Sequence, residues 1–275
     1  MAIHLGFDMG IRNLAYCLVR HEADTWTILN WDNIDLLEGG KSSQISKQCS
    51  ACSNPARFVS PDARKWCKGC ATGVRTKRQA TGKPPFPVIP CELQAKPLKE
   101  LAIALHLPGA KTMKKEELVK TLSAMYLLPW KPERAMDASL TNILSAMDLW
   151  LTSVLPIFAT ASVIRLENQP VMKGPTMKSV QIILFTLLSH RLRVEHDWKG
   201  TIEFVHAGMK SKHHATPSSS STKEGEAYRA RKRNAESDVV EHLTKQPHAQ
   251  SWLTFFQSRT KKSDLADACL MALRK

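Results

Sequence analysis

Four acids in this sequence have the types and spacing that metal-assisted chemistry requires. Asp8 ends the alternation Ile3, Leu5, Phe7 in IHLGFDMGIRNLAYCLV, and Glu167 ends the apolar run Val163 to Leu166 just before Asn168, Gln169 and Pro170. Asp264 and Asp267 lie three apart in KKSDLADACLMALRK, so a helix would project them from one face. Taken singly, Asp8 beside Gly10 reads equally as a solvated turn, and Asp264 as an acid that suits a helix N-terminus. A carboxylate becomes catalytic when other acids converge on it, for example to hold a divalent cation. Asp267 sits among Leu265, Ala266, Ala268, Leu270 and Met271, where a solvated face is hard to arrange and a buried acid without partners is costly.

A second set has soft ligands. Cys49, Cys52, Cys67 and Cys70 form C-x2-C-x14-C-x2-C, two knuckle-like pairs whose thiolates suit a closed, structural Zn²⁺ site. The remaining Cys17, Cys91 and Cys269 read as core or incidental residues. Paired CxxC spacing and an odd total of seven cysteines fit metal binding in a reducing, intracellular compartment better than a disulfide framework. Which compartment, whether a viral replication site in the cytoplasm, the nucleus or an organelle, stays open.

The elements that must position these groups alternate between two periods. Residues 3–40 read as three antiparallel strands, the first two joined at Gly10 and the third in TWTILNWDNIDLL. Residues 41–90 hold ten Lys or Arg against one acid, Asp62, and read as an inserted basic module around the cysteines. Its Arg57, Arg64, Lys65, Lys68, Arg75, Lys77 and Arg78 suggest a DNA-facing ribbon. Residues 91–130 give two short amphipathic helices around a Pro-Gly turn. From 131 onward the spacing predicts a helix at 136–155, a strand ending at Glu167, a helix at 177–191 and a strand in TIEFVHAG. A mobile Ser-rich loop in SKHHATPSSSSTKEGE follows, then a helix starting near Tyr228 and a final helix. This is an α/β layout.

With 275 residues and 43% hydrophobic content, the chain can build one sizeable core with small insertions. A net charge of +14 and a pI near 9.6 argue for a polyanionic partner, nucleic acid above all. No apolar run is read as approaching the roughly 18 to 20 residues of a membrane span, and no signal or transit peptide is evident before Ile3. The expectation is a soluble protein with no membrane partner.

GFDMGIRNLAY, RLENQPVMKGPTMKSVQ and KKSDLADACLMAL, in that order, resemble the RuvC-like Holliday junction resolvases. The likeness is to the branch of yeast mitochondrial cruciform-cutting endonucleases and poxvirus resolvases, and it covers residues 1–40 and 135–275. It implies an RNase H-like (RuvC-type) mixed sheet with helices on both faces, a homodimer, and four acids holding two Mg²⁺ (or Mn²⁺) ions: Asp8, Glu167, Asp264 and Asp267. The family pattern often carries a further acid where this chain has Ser263. Gly10 would let the DNA backbone come close, and Lys210 and Lys212, after the last strand, would contact or polarise the scissile phosphate. The paired helices resemble a SAP motif, with Lys111, Lys114 and Lys115 as phosphate contacts. Further candidate DNA contacts are Lys173, Lys178, Arg229, Arg231, Lys232, Arg233, Lys261 and Lys262.

The implied activity is metal-dependent endonucleolytic resolution of four-way DNA junctions by symmetric paired nicks. Two alternatives remain at this stage: an RNase H-like nuclease acting on other branched or hybrid nucleic acid, and a non-catalytic junction-binding protein.

Overall fold

The structure, a computed structural model, describes residues 1–43, 47–73, 86–170, 175–206 and 221–274. In chain order it contains strands β1 (Ala2–Asp8), β2 (Leu14–His21), β3 (Trp26–Asp35), β4 (Lys41–Ser42), β5 (Phe58–Val59) and β6 (Lys65–Trp66). Helices α1 (Lys68–Thr72), α2 (Ala95–Ala104) and α3 (Lys115–Ser123) lead to strand β7 (Leu128–Pro129). Helix α4 (Leu140–Phe158), strand β8 (Val163–Asn168), helix α5 (Pro175–His196) and strand β9 (Thr201–His206) come next. Helices α6 (Ser221–Thr244), α7 (Gln250–Ser258) and α8 (Lys262–Leu273) complete it. The chain divides into two compact units, Met1–Ser46 with Glu133–Lys275, and Lys47–Pro132.

The larger unit is a mixed sheet in the order β4-β3-β2-β1-β8-β9. β1 to β4 run antiparallel in sequence, while β8 lies parallel to β1 and β9 parallel to β8. Alternation splits each strand between two cores. Leu5 and Phe7 of β1, Leu14, Tyr16 and Leu18 of β2, and Ile164 and Leu166 of β8 pack with α4 and α5. Ala15, Cys17 and Val19 of β2 and Trp31 of β3 face α6, α7 and α8. Helices therefore cover both faces, and the fold is the expected mixed α/β arrangement.

Two side-chain clusters anchor these layers. Phe7 meets Phe158 edge-on at 5.6 Å, and Trp31 stacks on Phe256 at 5.3 Å while donating its indole N–H to the Leu265 carbonyl at 3.1 Å. Full burial of each such aromatic is worth about 2–3 kcal/mol.

The helix α8 lies directly on β1, and Gly6 is the reason it can. A Cβ at Gly6 would run into the Ala268 carbonyl oxygen and come within 2.8 Å of the Ala272 backbone nitrogen. Gly6→Ala therefore forces backbone to move rather than a flexible side chain. We expect a loss of about 3 kcal/mol, measurable as a lower urea midpoint at unchanged m-value.

Several expectations change. The helix beginning near Tyr228 instead starts at Ser221, so residues 221–226 of the Ser-rich stretch are helical; low apolar content marks them as loop, yet it does not by itself oppose a helix. The helix α7 was not expected: QSWLTFFQS is short, and only Leu253 and Phe256, three apart, are buried in it. The expected turn at Gly10 does need glycine, because a Cβ there would strike the backbone carbonyl group of Asn13. By length and composition α4 could cross a membrane, which the reading of apolar runs missed. In the fold its Ile143, Met147, Leu151, Leu155 and Phe158 face is buried under the sheet.

The smaller unit holds both the cysteine segment and the helical pair, which the sequence reading had cut into 41–90 and 91–130. β7, which follows α3, pairs with β5 of the cysteine segment, Phe58 opposite Pro129 and Val59 opposite Leu128. Leu98, Ala102, Leu118, Leu122 and Leu128 form one small core, and Leu127 packs with Trp66 and the cysteines in another.

Candidate active site

The register of β1 and β8 brings the first two acids together. Phe7 pairs with Leu166, so Asp8 and Glu167 are the next residues on adjacent parallel strands. Phe7 and Leu166 face α4 and α5; the alternation turns Asp8 and Glu167 to the opposite face, where α8 lies. The helix runs along β1 in the reverse sense, with Arg274 beside His4 and Ala268 beside Gly6. Its first turns, carrying Asp264 and Asp267, therefore arrive at the Asp8 end. All four acids line one cleft of about 480 Å³. Asp8 is buried at 7% exposure, and the other three are half-buried.

Beside them the lining mixes hydrogen-bonding groups and cations, Arg12, Asn13, Gln169, Arg231 and Lys232, with the apolar Met9, Ile11, Ala135 and Ala235. Arg12 is held by a 2.6 Å ion pair to Asp35, whose side chain is fully buried, and it also bonds the Glu133 carbonyl. Asp35 in turn accepts from the Leu37 backbone N–H at 3.1 Å. Breaking such a buried pair from one side costs about 3–5 kcal/mol, so Arg12 pins the loop that follows Asp8. Glu167 accepts from the Gln169 amide at 2.8 Å. The Gln169 backbone N–H and the Lys178 ammonium both donate to the Gln181 Oε1, at 3.1 and 2.9 Å, and Lys178 also reaches Asn168 Oδ1 at 3.0 Å.

The predicted cations thus divide. Arg229, Arg231, Arg233 and Lys261 are exposed and Lys262 is half-buried. Lys178 is drawn into the turn after Glu167, and Lys232 is drawn into the cleft, 3.0 Å from Asp264 Oδ1. In the smaller unit Lys111, Lys114 and Lys115 are exposed, and Glu117 accepts from the Lys114 backbone N–H at 2.9 Å to cap α3. Lys173, Lys210 and Lys212, with Arg75, Lys77 and Arg78, lie outside the described residues.

Sequence reading missed the roles of Arg12, Gln169 and Gln181. The pairing of Arg12 with Asp35 joins a loop to a strand end and leaves no local spacing signal. Lys232 had one: it precedes the buried Ala235 and Val239 at helical spacing, which puts it on the inward side of α6.

The far end of α8 is held by a buried basic cluster. His4 Nδ1 donates to the Arg274 carbonyl at 3.0 Å, and Arg165 donates to that carbonyl at 2.6 Å and to the Met271 carbonyl at 3.2 Å. His21 Nε2 donates to the Ala272 carbonyl at 2.8 Å, its ring 4.4 Å from that of His4. Glu203 pairs with Arg165 at 3.1 Å. Burial, then the charge of Arg165 and the neighbouring His21, lower the His4 pKa from 6.5. The folded state thus favours neutral His4; its contribution is complete above pH 6.5 and declines as pH falls below it, where the unfolded chain takes up the proton first. We expect the thermal midpoint to drop between pH 7.5 and 5, with a shallower drop in His4→Asn.

The four cysteines form the second site. Their sulfurs lie within 4.8 Å of one another, the single group this tight among the described His, Cys, Asp and Glu residues. Cys52 Sγ is 3.7 Å from Cys67 Sγ and 3.8 Å from Cys70 Sγ. Zn–S bonds of about 2.3 Å at tetrahedral angles would set sulfurs about 3.8 Å apart. Cys67 Sγ accepts from the Cys70 backbone N–H at 3.4 Å. Burial, then the crowding of Cys67, Cys52 and Cys49, push the Cys70 thiol up, a cost that a bound cation would remove. The cluster can hold zinc. Cys17 and Cys269 are buried in the main unit and Cys91 is half-buried.

No family model and no curated protein matches the chain. Among solved structures, the chain is similar to the yeast mitochondrial Holliday junction resolvase Ydc2, with a TM-score of 0.41 and 14% identity over 98% of this chain and 77% of that one. At that distance the likeness assigns no residue.

Proposed function

We propose that this chain is a divalent-metal-dependent endonuclease that resolves four-way DNA junctions by paired nicks. The observation that carries this reading is the convergence of Asp8, Glu167, Asp264 and Asp267 on one cleft. The donors are hard carboxylate oxygens, and no His or Cys lines the cleft among the described residues, which fits Mg²⁺ or Mn²⁺. Bound there, two such ions would generate the attacking hydroxide and neutralise the leaving oxygen.

The protein's own groups do the placing. Asp8 and Glu167 are fixed by the sheet register, Asp264 and Asp267 by α8, and Arg12 by its pair with Asp35. Of the exposed arginines of α6, Arg231 lines the cleft, and it is suited to a phosphate beside the cut. Two equivalent strands need two equivalent sites, so the active species is a homodimer.

The test is cleavage of a labelled four-way junction in Mg²⁺ beside linear duplex, a Y-fork and an RNA–DNA hybrid. Symmetric nicks confined to the junction are expected. Preferential cutting of the hybrid or fork would keep the acid site and replace the substrate. Tight junction binding with no cut in Mg²⁺ or Mn²⁺ would overturn the catalytic reading.

A further inference from the structure

Among the described residues, Lys232 is the one lysine that lines the acid cleft. Its ammonium lies 3.0 Å from Asp264 Oδ1 and 3.2 Å from Ser263 Oγ, and Ser263 Oγ donates to the same carboxylate oxygen at 3.1 Å. The pair is sheltered, with side-chain exposures of 32% for Lys232 and 16% for Asp264. Its helix neighbours Arg229, Arg231 and Arg233 face solvent, while Ala235 and Val239, at the following inward positions, are buried. The helix face thus commits this lysine to the cleft, and its charge falls where a carboxylate would otherwise meet a cation from solution.

We infer that Lys232 is a resident counter-ion of the acid cleft, one that a divalent cation must displace to take Asp264 Oδ1. The inference rests on the acid cleft being a metal site. A carboxylate oxygen bonded to an ammonium and to a serine hydroxyl has its lone pairs occupied, and a cation arriving beside an ammonium meets like-charge repulsion. Displacement requires only a rotation of a flexible four-carbon stem. The cleft thereby avoids four mutually repelling acids before metal arrives, at the expense of metal affinity.

Titration calorimetry of the full chain with MnCl₂, without DNA, tests this. Lys232→Met keeps the bulk and removes the charge; Mn²⁺ should bind it about five- to tenfold more tightly than the wild type, the size expected for loss of a half-sheltered ion pair. Lys232→Arg should stay near the wild type. In an Asp264→Asn background the effect of Lys232→Met should shrink, because the Lys232–Asp264 ion pair is gone from both proteins being compared. Equal or weaker Mn²⁺ binding by Lys232→Met, with the wild type binding normally, overturns the counter-ion role and leaves the metal site standing. Failure of both proteins to bind Mn²⁺ overturns the metal reading of the cleft, and the counter-ion role with it.

Discussion

Asp8→Asn is expected to lower junction cleavage by about a thousandfold or more, while the protein keeps its fold and still binds the junction. The change is isosteric and removes one negative charge. Asp8 is the last residue of β1, and its backbone pairs with Ala15 whichever side chain it carries. Stability has little to lose, since an acid is withdrawn from a cleft already holding Glu167, Asp264 and Asp267. Catalysis has much to lose, because an amide is neutral and cannot supply the anionic oxygen that a hard divalent cation selects. The measurement is single-turnover cleavage with thermal unfolding of the same preparation. Cleavage within a few-fold of the wild type, at an unchanged melting temperature, would remove Asp8 from the catalytic set.

Loss of metal from the cysteine cluster should have a comparably large effect, on the smaller unit alone. Its cores are small: a few leucines and alanines between α2, α3 and β7, and Trp66, Leu127 and the cysteines themselves. Its strands β5, β6 and β7 are two residues each. Structural zinc supplies on the order of 10 kcal/mol or more of apparent folding energy in such settings, more than cores of this size hold in reserve. The purified chain should therefore carry one zinc per molecule by atomic absorption. A strong chelator, or Cys70→Ser, should open residues 47–132 to limited proteolysis and leave the sheet of the larger unit intact. Protein that contains no zinc and resists protease equally with and without chelator would assign the thiols to ordinary packing.

What the residues disclosed in advance was chiefly local. Period-two alternation located β1, an apolar run located β2, apolar residues of TWTILNWDNIDLL located β3, and the i, i+3 spacing of Asp264 and Asp267 put both acids on one face of α8. Those features depend on neighbours in sequence, so they are readable there. The contacts that tune the site are not of this kind. Arg12 finds Asp35, Gln181 finds Gln169, and His4 and Arg165 find the carbonyls of α8 only after the strands have paired. Lys232 stood inside a basic run that reads as solvated, and its direction depends on which face of α6 is covered. Cysteine spacing signalled that the four thiols gather in one cluster, yet said nothing of β7 returning to β5 to join the helical pair into the same unit.

The crossing of α8 over β1 at Gly6 also sets when the cleft can come into being. Asp8 is made early in synthesis and Asp264 and Asp267 late, and contacts between segments so distant in sequence form only after the intervening chain is ordered. A fragment ending before Lys262 carries Asp8 and Glu167 but lacks Asp264 and Asp267, half of the acids. On the proposed function, such a fragment would hold nucleic acid on its basic surfaces without nicking it.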